Sequence, residues 1–178
     1  GLALEWNRKP GDAKASYYAA IEADPDLTKV WDRLNKLRVT ADTLLPLSQK
    51  ILAKKPGNPT ATMWAAFFLN QEKKFEDALN LGLKSLKVYR EHGGVYQQTF
   101  IAANSLLRAD PATAVAAFKL IHECYPWYPD AANNVGLFYR DRGSYSESLK
   151  WYLLAMERAP NSQDILNDTA PIYLFHTT

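Results

Sequence analysis

A chain of 178 residues, 47% of them apolar and 22% charged, has the composition of a folded protein with a sizeable core, not of a disordered one. Its 21 basic and 19 acidic residues leave a net charge of +2, too small an excess to imply nucleic acid as a partner; residues 1–93 carry 15 against 11 and residues 94–178 carry 6 against 8, which reads as a solvated surface. Cys124 is the only cysteine, so an internal disulfide is excluded, and no apolar run approaches the ~20 residues that a membrane-spanning helix needs.

In chain order the pattern is a succession of helical hairpins, each made of two amphipathic helices, a tight turn and a proline stop. "GLALEW" reads as the tail of a first helix and "AKASYYAAIEADP" as a second helix ending at Pro25. The unit over residues 28–56 is the irregular one. Trp31 and Leu34 fit, but its first helix is short, bulky Leu44 and Ile51 stand where small residues recur elsewhere, and Pro46 is expected in the opening turn of the second helix, where a missing donor is harmless. Residues 59–90 form a full unit, with Arg90 ending its second helix and His92-Gly93-Gly94 read as a helix end followed by a turn. Residues 95–126 form the next, in which Asp110-Pro111 supplies a cap and a first helical position and Pro126 terminates. In residues 129–160, Ser144 and Glu147 have capping-box spacing and Pro160 ends the run. Residues 163–178 read as a partial unit, with Leu166, Thr169-Ala170 and Tyr173 in register and Pro171 expected to kink or interrupt the helix. The array starts and stops mid-hairpin, which reads as a slice of a longer one.

The units repeat with a period of 34: Pro126 precedes Pro160 by 34 residues, and Arg90 follows Pro56 by the same number. Small residues keep step, with Ala66, Ala102 and Gly136 in first helices and Ala78, Ala114 and Ser148 in second helices; Phe118 and Tyr152 fill the space alongside. "NNVGLFYRDRGSYSESLKWYLLAMERAPN" resembles the tetratricopeptide repeat at Val135-Gly136, Tyr139, Gly143, Tyr145, Ser148, Tyr152, Ala155 and Pro160, with Ala132 in place of the usual tryptophan. The resemblance implies an all-α fold, a right-handed superhelix or α-solenoid of about five helical hairpins, in which first helices line a concave face.

Reactive chemistry is not visible. His92, His122 and His176 share no register, and His122 and Cys124, two apart on a helix, point in different directions, so a surface histidine beside a packed thiol is expected; neither a catalytic group nor a metal or cofactor is predicted. Asn167-Asp168-Thr169 matches a glycosylation triplet but lies in a predicted helix, and Lys50, Lys54, Lys55, Lys84 and Lys87 lack the interleaved aromatic residues of a nucleic-acid strip.

What remains is surface shape. The resemblance, with helical spacing, places Met63, Phe67, Asn70, Tyr96, Thr99, Leu106, Asn133, Asn134, Leu137, Arg140 and Asp141 on the inner face as a groove for a protein or peptide segment, the alternative for Met63, Phe67 and Leu106 being partial cover by neighbouring repeats. The lysine, asparagine and arginine clamp that some family members use for chaperone tails is not matched: Met63, Phe67, Thr99, Ala103, Asp164 and Asp168 occupy those places. Trp127 and Tyr128 in "YPWYP" are expected to pack on the next hairpin. The function expected is a non-catalytic interaction scaffold with no membrane insertion and no nucleic-acid partner. The alternatives are end-to-end self-assembly through Leu2 and Phe175, or service as the interaction module of a longer enzyme or membrane-attached protein.

Overall fold

The computed structural model describes residues 2, 10–88 and 92–176, and among these it is all-α. The helices are α1 (Pro10–Ala23), α2 (Thr28–Lys36), α3 (Ala41–Lys54), α4 (Pro59–Gln71), α5 (Phe75–Leu86), α6 (Gly93–Leu106), α7 (Pro111–Cys124), α8 (Pro129–Arg140), α9 (Tyr145–Arg158) and α10 (Gln163–His176). Residues 3–9, Arg90 and the side chains of Phe175 and His176 lie outside the described residues. The chain divides into two compact units, Gly1–Gln98 and Thr99–Thr178.

The turns carry the repeat most plainly. After α1, α3, α7 and α9 a proline, Pro25, Pro56, Pro126 or Pro160, sits second in a four-residue turn closed by one backbone hydrogen bond: Leu27 N to Asp24 O, Asn58 N to Lys55 O, Tyr128 N to Tyr125 O and Ser162 N to Ala159 O. Proline suits that place because its fixed φ is already the one the turn requires. The other kind of turn, inside hairpins, ends α2, α4 and α8 with a left-handed residue: Arg38 (φ 52°), Lys73 (φ 59°) and Gly143 (φ 72°). In each, the next amide donates to the carbonyl five residues back, Val39 to Leu34, Lys74 to Leu69 and Ser144 to Tyr139, which satisfies a carbonyl that the helix end leaves over. Only Gly143 holds this conformation without a Cβ penalty. The turn after α6 differs, because Asp110 N returns to Leu106 O four residues back.

In unit Gly1–Gln98, α1 packs on α2 and α3, α3 on α4, and α4 on α5. Trp31 is fully buried, donates its indole N–H to Pro25 O (2.9 Å) and stacks on Trp64, with ring centroids 5.8 Å apart. The irregular unit packs by exchanging large for small. Leu44 and Ser48 of α3, both fully buried, have the spacing of Ser148 and Tyr152 in α9, with bulky and small residues in reversed order, so the volume in the gap is roughly kept. Pro46 lies in the second turn of α3, not the first, so one internal hydrogen bond is missing; its exposed position makes that tolerable. Asn58 caps α4 by accepting from Ala61 N (2.8 Å), with Pro59 in the first helical position. His92-Gly93-Gly94 opens a helix and does not end one: His92 Nδ1 and O both accept from Val95 N.

In unit Thr99–Thr178, α7 packs on α8, α8 on α9, and α9 on α10. Gly136 of α8 faces the fully buried Tyr152 of α9 so closely that a Cβ there would stand 2.7 Å from two ring carbons, and Ser148 Oγ donates to Gly136 O (2.8 Å) across the same gap. Asp110 caps α7 as expected, accepting from Thr113 N (3.1 Å). The Thr113 side chain first, and this backbone bond second, hold its carboxyl below the usual aspartate range. Ser144 precedes α9 without any side-chain cap bond, and Glu147 accepts from Lys150, so the expected capping box does not form. The helix α10 continues through Pro171, and its buried stripe is Ile165, Thr169 and Ile172: of the expected register Leu166, Thr169-Ala170 and Tyr173, Thr169 is buried, while Ile165 and Ile172 take the places of Leu166 and Tyr173. His122 is half-buried rather than a surface residue, its ring set edge-on to Trp151 (5.7 Å between centroids) on α9. Burial, helped by the charge of Arg158 and opposed by Glu157, lowers its pKa.

Three outcomes are expected. Gly136→Ala forces a methyl into the Tyr152 ring and should lower stability by about 1–3 kcal/mol, read as a smaller urea midpoint with helicity retained; an unchanged midpoint would contradict the close approach. Lys73→Gly removes the left-handed penalty at an exposed turn and should raise stability by roughly 0.5–1 kcal/mol in the same measurement. His122 is held neutral in the fold, so the unfolded chain takes up its proton first. Stability is full above the ordinary histidine value of about 6.5 and falls as pH drops through it. Thermal midpoints should decline from pH 7 toward pH 5, and less so in His122→Gln.

Candidate functional site

The residues expected on one inner face fall into three groups. Tyr96 (7% exposed), Thr99 (0%) and Leu106 (6%) are buried, so they are core residues and offer a partner no surface. The reason is that α6 is apolar on more than one side, with Val95, Ala102 and Ala103 buried as well.

Met63, Phe67 and Asn70, on α4 of the first unit, are half-buried and already engaged. Met63 lies against Gly94, where a Cβ would meet its Sδ at 2.3 Å; Phe67 packs edge-on to Trp64 and Phe68, each at 5.3 Å; and Asn70 Nδ2 donates to both the backbone and side-chain oxygens of Gln98 (3.0 and 3.1 Å). The Asn70 bond spans 28 residues, the same separation as Glu22 to Lys50 and Arg140 to Asp168. In each pair a residue in the last turn of one helix meets a residue farther back in its counterpart in the next hairpin.

The third group lies in unit Thr99–Thr178. Asn134, Leu137 and Asp141 meet in a hollow of about 300 Å³, whose apolar lining is completed by Leu107, Pro111 and Phe138 and whose charged lining is completed by Arg108 and Arg142. The turn after α6, the start of α7, α8 from Asn134 onward and the turn after it supply these residues. Arg142 is fixed over the Phe138 ring, 3.7 Å from its centroid, and donates to Phe138 O (3.3 Å). Asp141 accepts from Nε and Nη2 of Arg140 (3.2 and 3.1 Å), and Arg140 Nη1 donates to Asp168 of α10 at 2.6 Å. Arg140 is thus a strut between α8 and α10, not a group held ready for a partner. Asn133 is half-buried, and its Oδ1 is fully covered with no hydrogen-bond partner among the described residues.

Sequence reasoning did not find Arg108, Pro111, Phe138 and Arg142 as neighbours of this hollow: Arg108 and Arg142 lie in turns, Pro111 opens α7, and Phe138 of α8 lies off the stripe that helical spacing selected. Trp127 and Tyr128 are 50% and 36% exposed and stack around the buried Tyr125 of their own loop (5.5 and 6.2 Å). Burial pushes the Tyr125 hydroxyl up to about 12. The glycosylation triplet is spent on structure: Asn167 accepts from Gln163, Asp168 from Arg140, and Thr169 donates to Ile165 O. Among the described residues no three His, Cys, Asp or Glu side chains gather as a metal site, and no helix is long and apolar enough to cross a membrane.

No protein-family model matches the chain, and no curated protein matches its sequence significantly. Solved structures do match. MamA is 17% identical with a TM-score of 0.60, over 80% of this chain and 82% of that one. YrrB, described as a TPR protein with an unusual peptide-binding site, is 17% identical with a TM-score of 0.58, over 89% and 82%. PilF of Pseudomonas aeruginosa is 19% identical with a TM-score of 0.58, over 99% and 89%. The chain shares the fold of these structures, the tetratricopeptide repeat of YrrB among them.

Proposed function

We propose that the chain is a non-catalytic scaffold that holds a segment of a partner protein, with the hollow beside Leu137 as its principal seat. The observation that carries this reading is the composition of that hollow: an apolar floor able to accept a side chain, rimmed by an amide and by charged groups able to hold a backbone. Sites of this makeup suit chain segments better than small reactive substrates, since no nucleophile and base meet there. The peptide-binding site described for YrrB supports the reading by analogy of fold, which alone would not carry it. Neither a cofactor nor a nucleic acid enters the proposal.

Selection from a random peptide library displayed on phage tests it. Peptides recovered on the intact chain should bind Leu137→Glu at least about tenfold more weakly, because the substitution puts an unpaired charge on the apolar floor, while circular dichroism stays helical. Equal affinity for the variant would reject the hollow as the seat.

A further inference from the structure

We infer that the hollow beside Leu137 takes an extended segment in which acidic side chains flank an apolar one, an inference that rests on the reading of that hollow as a protein-binding seat. The charge arrangement argues for it. Three charged groups line the hollow, and the one acid, Asp141, is already answered by two N–H groups of Arg140. Arg108 and Arg142 have no carboxylate partner among the described residues.

Arg142 is also pre-organised. The Phe138 ring and the Phe138 carbonyl fix its guanidinium at the edge of the apolar floor, and most of its N–H donors remain for a ligand. A guanidinium so held loses little side-chain freedom when it grips a carboxylate. Two unanswered cations beside an apolar floor are complementary to two carboxylates beside an apolar side chain. Two positive charges are matched by two negative ones, which Asp or Glu side chains within the segment supply and a single chain-terminal carboxylate does not. Single-stranded nucleic acid is the poorer match: Phe138, the one aromatic ring at the hollow, has Arg142 over its face and Tyr139 against it at 5.4 Å, which leaves a base no platform.

Fluorescence polarisation with three pools of short, labelled, amidated peptides tests the inference. Each pool has a central Leu or Phe, flanked by Asp/Glu, by Asn/Gln or by Lys/Arg. The acidic pool should bind at least about tenfold more tightly than the neutral pool at low salt, and the margin should shrink as salt rises. Arg108→Glu and Arg142→Gln, both exposed, should each weaken the acidic pool severalfold more than the neutral pool. Equal binding of acidic and neutral pools, both weakened by Leu137→Glu, would overturn the acidic preference and leave the hollow as a seat. Binding by none of the pools would overturn both, and tighter binding of a labelled oligonucleotide than of the acidic pool would overturn the assignment to protein.

Discussion

Two helices of a hairpin can bury their shared apolar stripe only if their backbones come close, and closeness needs a residue without bulk opposite one that fills the gap. In α8 and α9 this is Gly136 against Tyr152, where even a methyl group would stand 2.7 Å from the ring. The same contact is polar at its edge, since Ser148 Oγ donates to Gly136 O and so answers a buried hydroxyl. The phenol of Tyr152, fully covered, is held well above the usual tyrosine range by that burial, with Asp168 adding to it, so it remains neutral and functions as volume. Around this pair, Ala132, Ala155 and Ile165 close the core with Trp151, Leu154 and Met156 at its margin.

The constraint bears on the candidate site. Large side chains committed to gaps between helices leave turns, and the helix ends beside them, as one kind of surface open to a partner. The hollow in unit Thr99–Thr178 is of that kind, with Leu107, Arg108 and Pro111 from one turn and Asp141 and Arg142 from another. Turns can carry such groups cheaply because their backbone bonds are internal, as the repeated proline turns and left-handed helix ends show. Arg140 belongs to both the packing and the site: it ties α8 to α10 through Asp168 and pairs with Asp141 at the hollow.

Much of the fold was legible because small residues and prolines recur at fixed intervals, and these are the positions where packing and turn geometry leave least choice. The hairpins, the short α2 and the Asp110 cap were readable on that ground. What misled the reading was local ambiguity. In α10, Ile165-Leu166 and Ile172-Tyr173 are paired apolar neighbours, so spacing alone allows either of two stripes, and the packing chose Ile165 and Ile172. Gly93-Gly94 suits the beginning of a helix as well as the end of one, and close approach to Met63 is what the second glycine permits. Of the candidate site, Asn134, Leu137 and Asp141 were found by helical spacing. Tyr96, Thr99 and Leu106 were misplaced because α6 buries several sides, and Arg108 and Arg142 were passed over because turns have no period.

The contact between Gly136 and Tyr152 can be observed directly in solution by nuclear Overhauser spectroscopy on the labelled protein. The account predicts strong cross-peaks from the Gly136 α-protons to the Tyr152 ring protons. Their absence, in a protein whose other α8 and α9 cross-peaks are intact, would contradict the claim that close helix approach organises the hairpins.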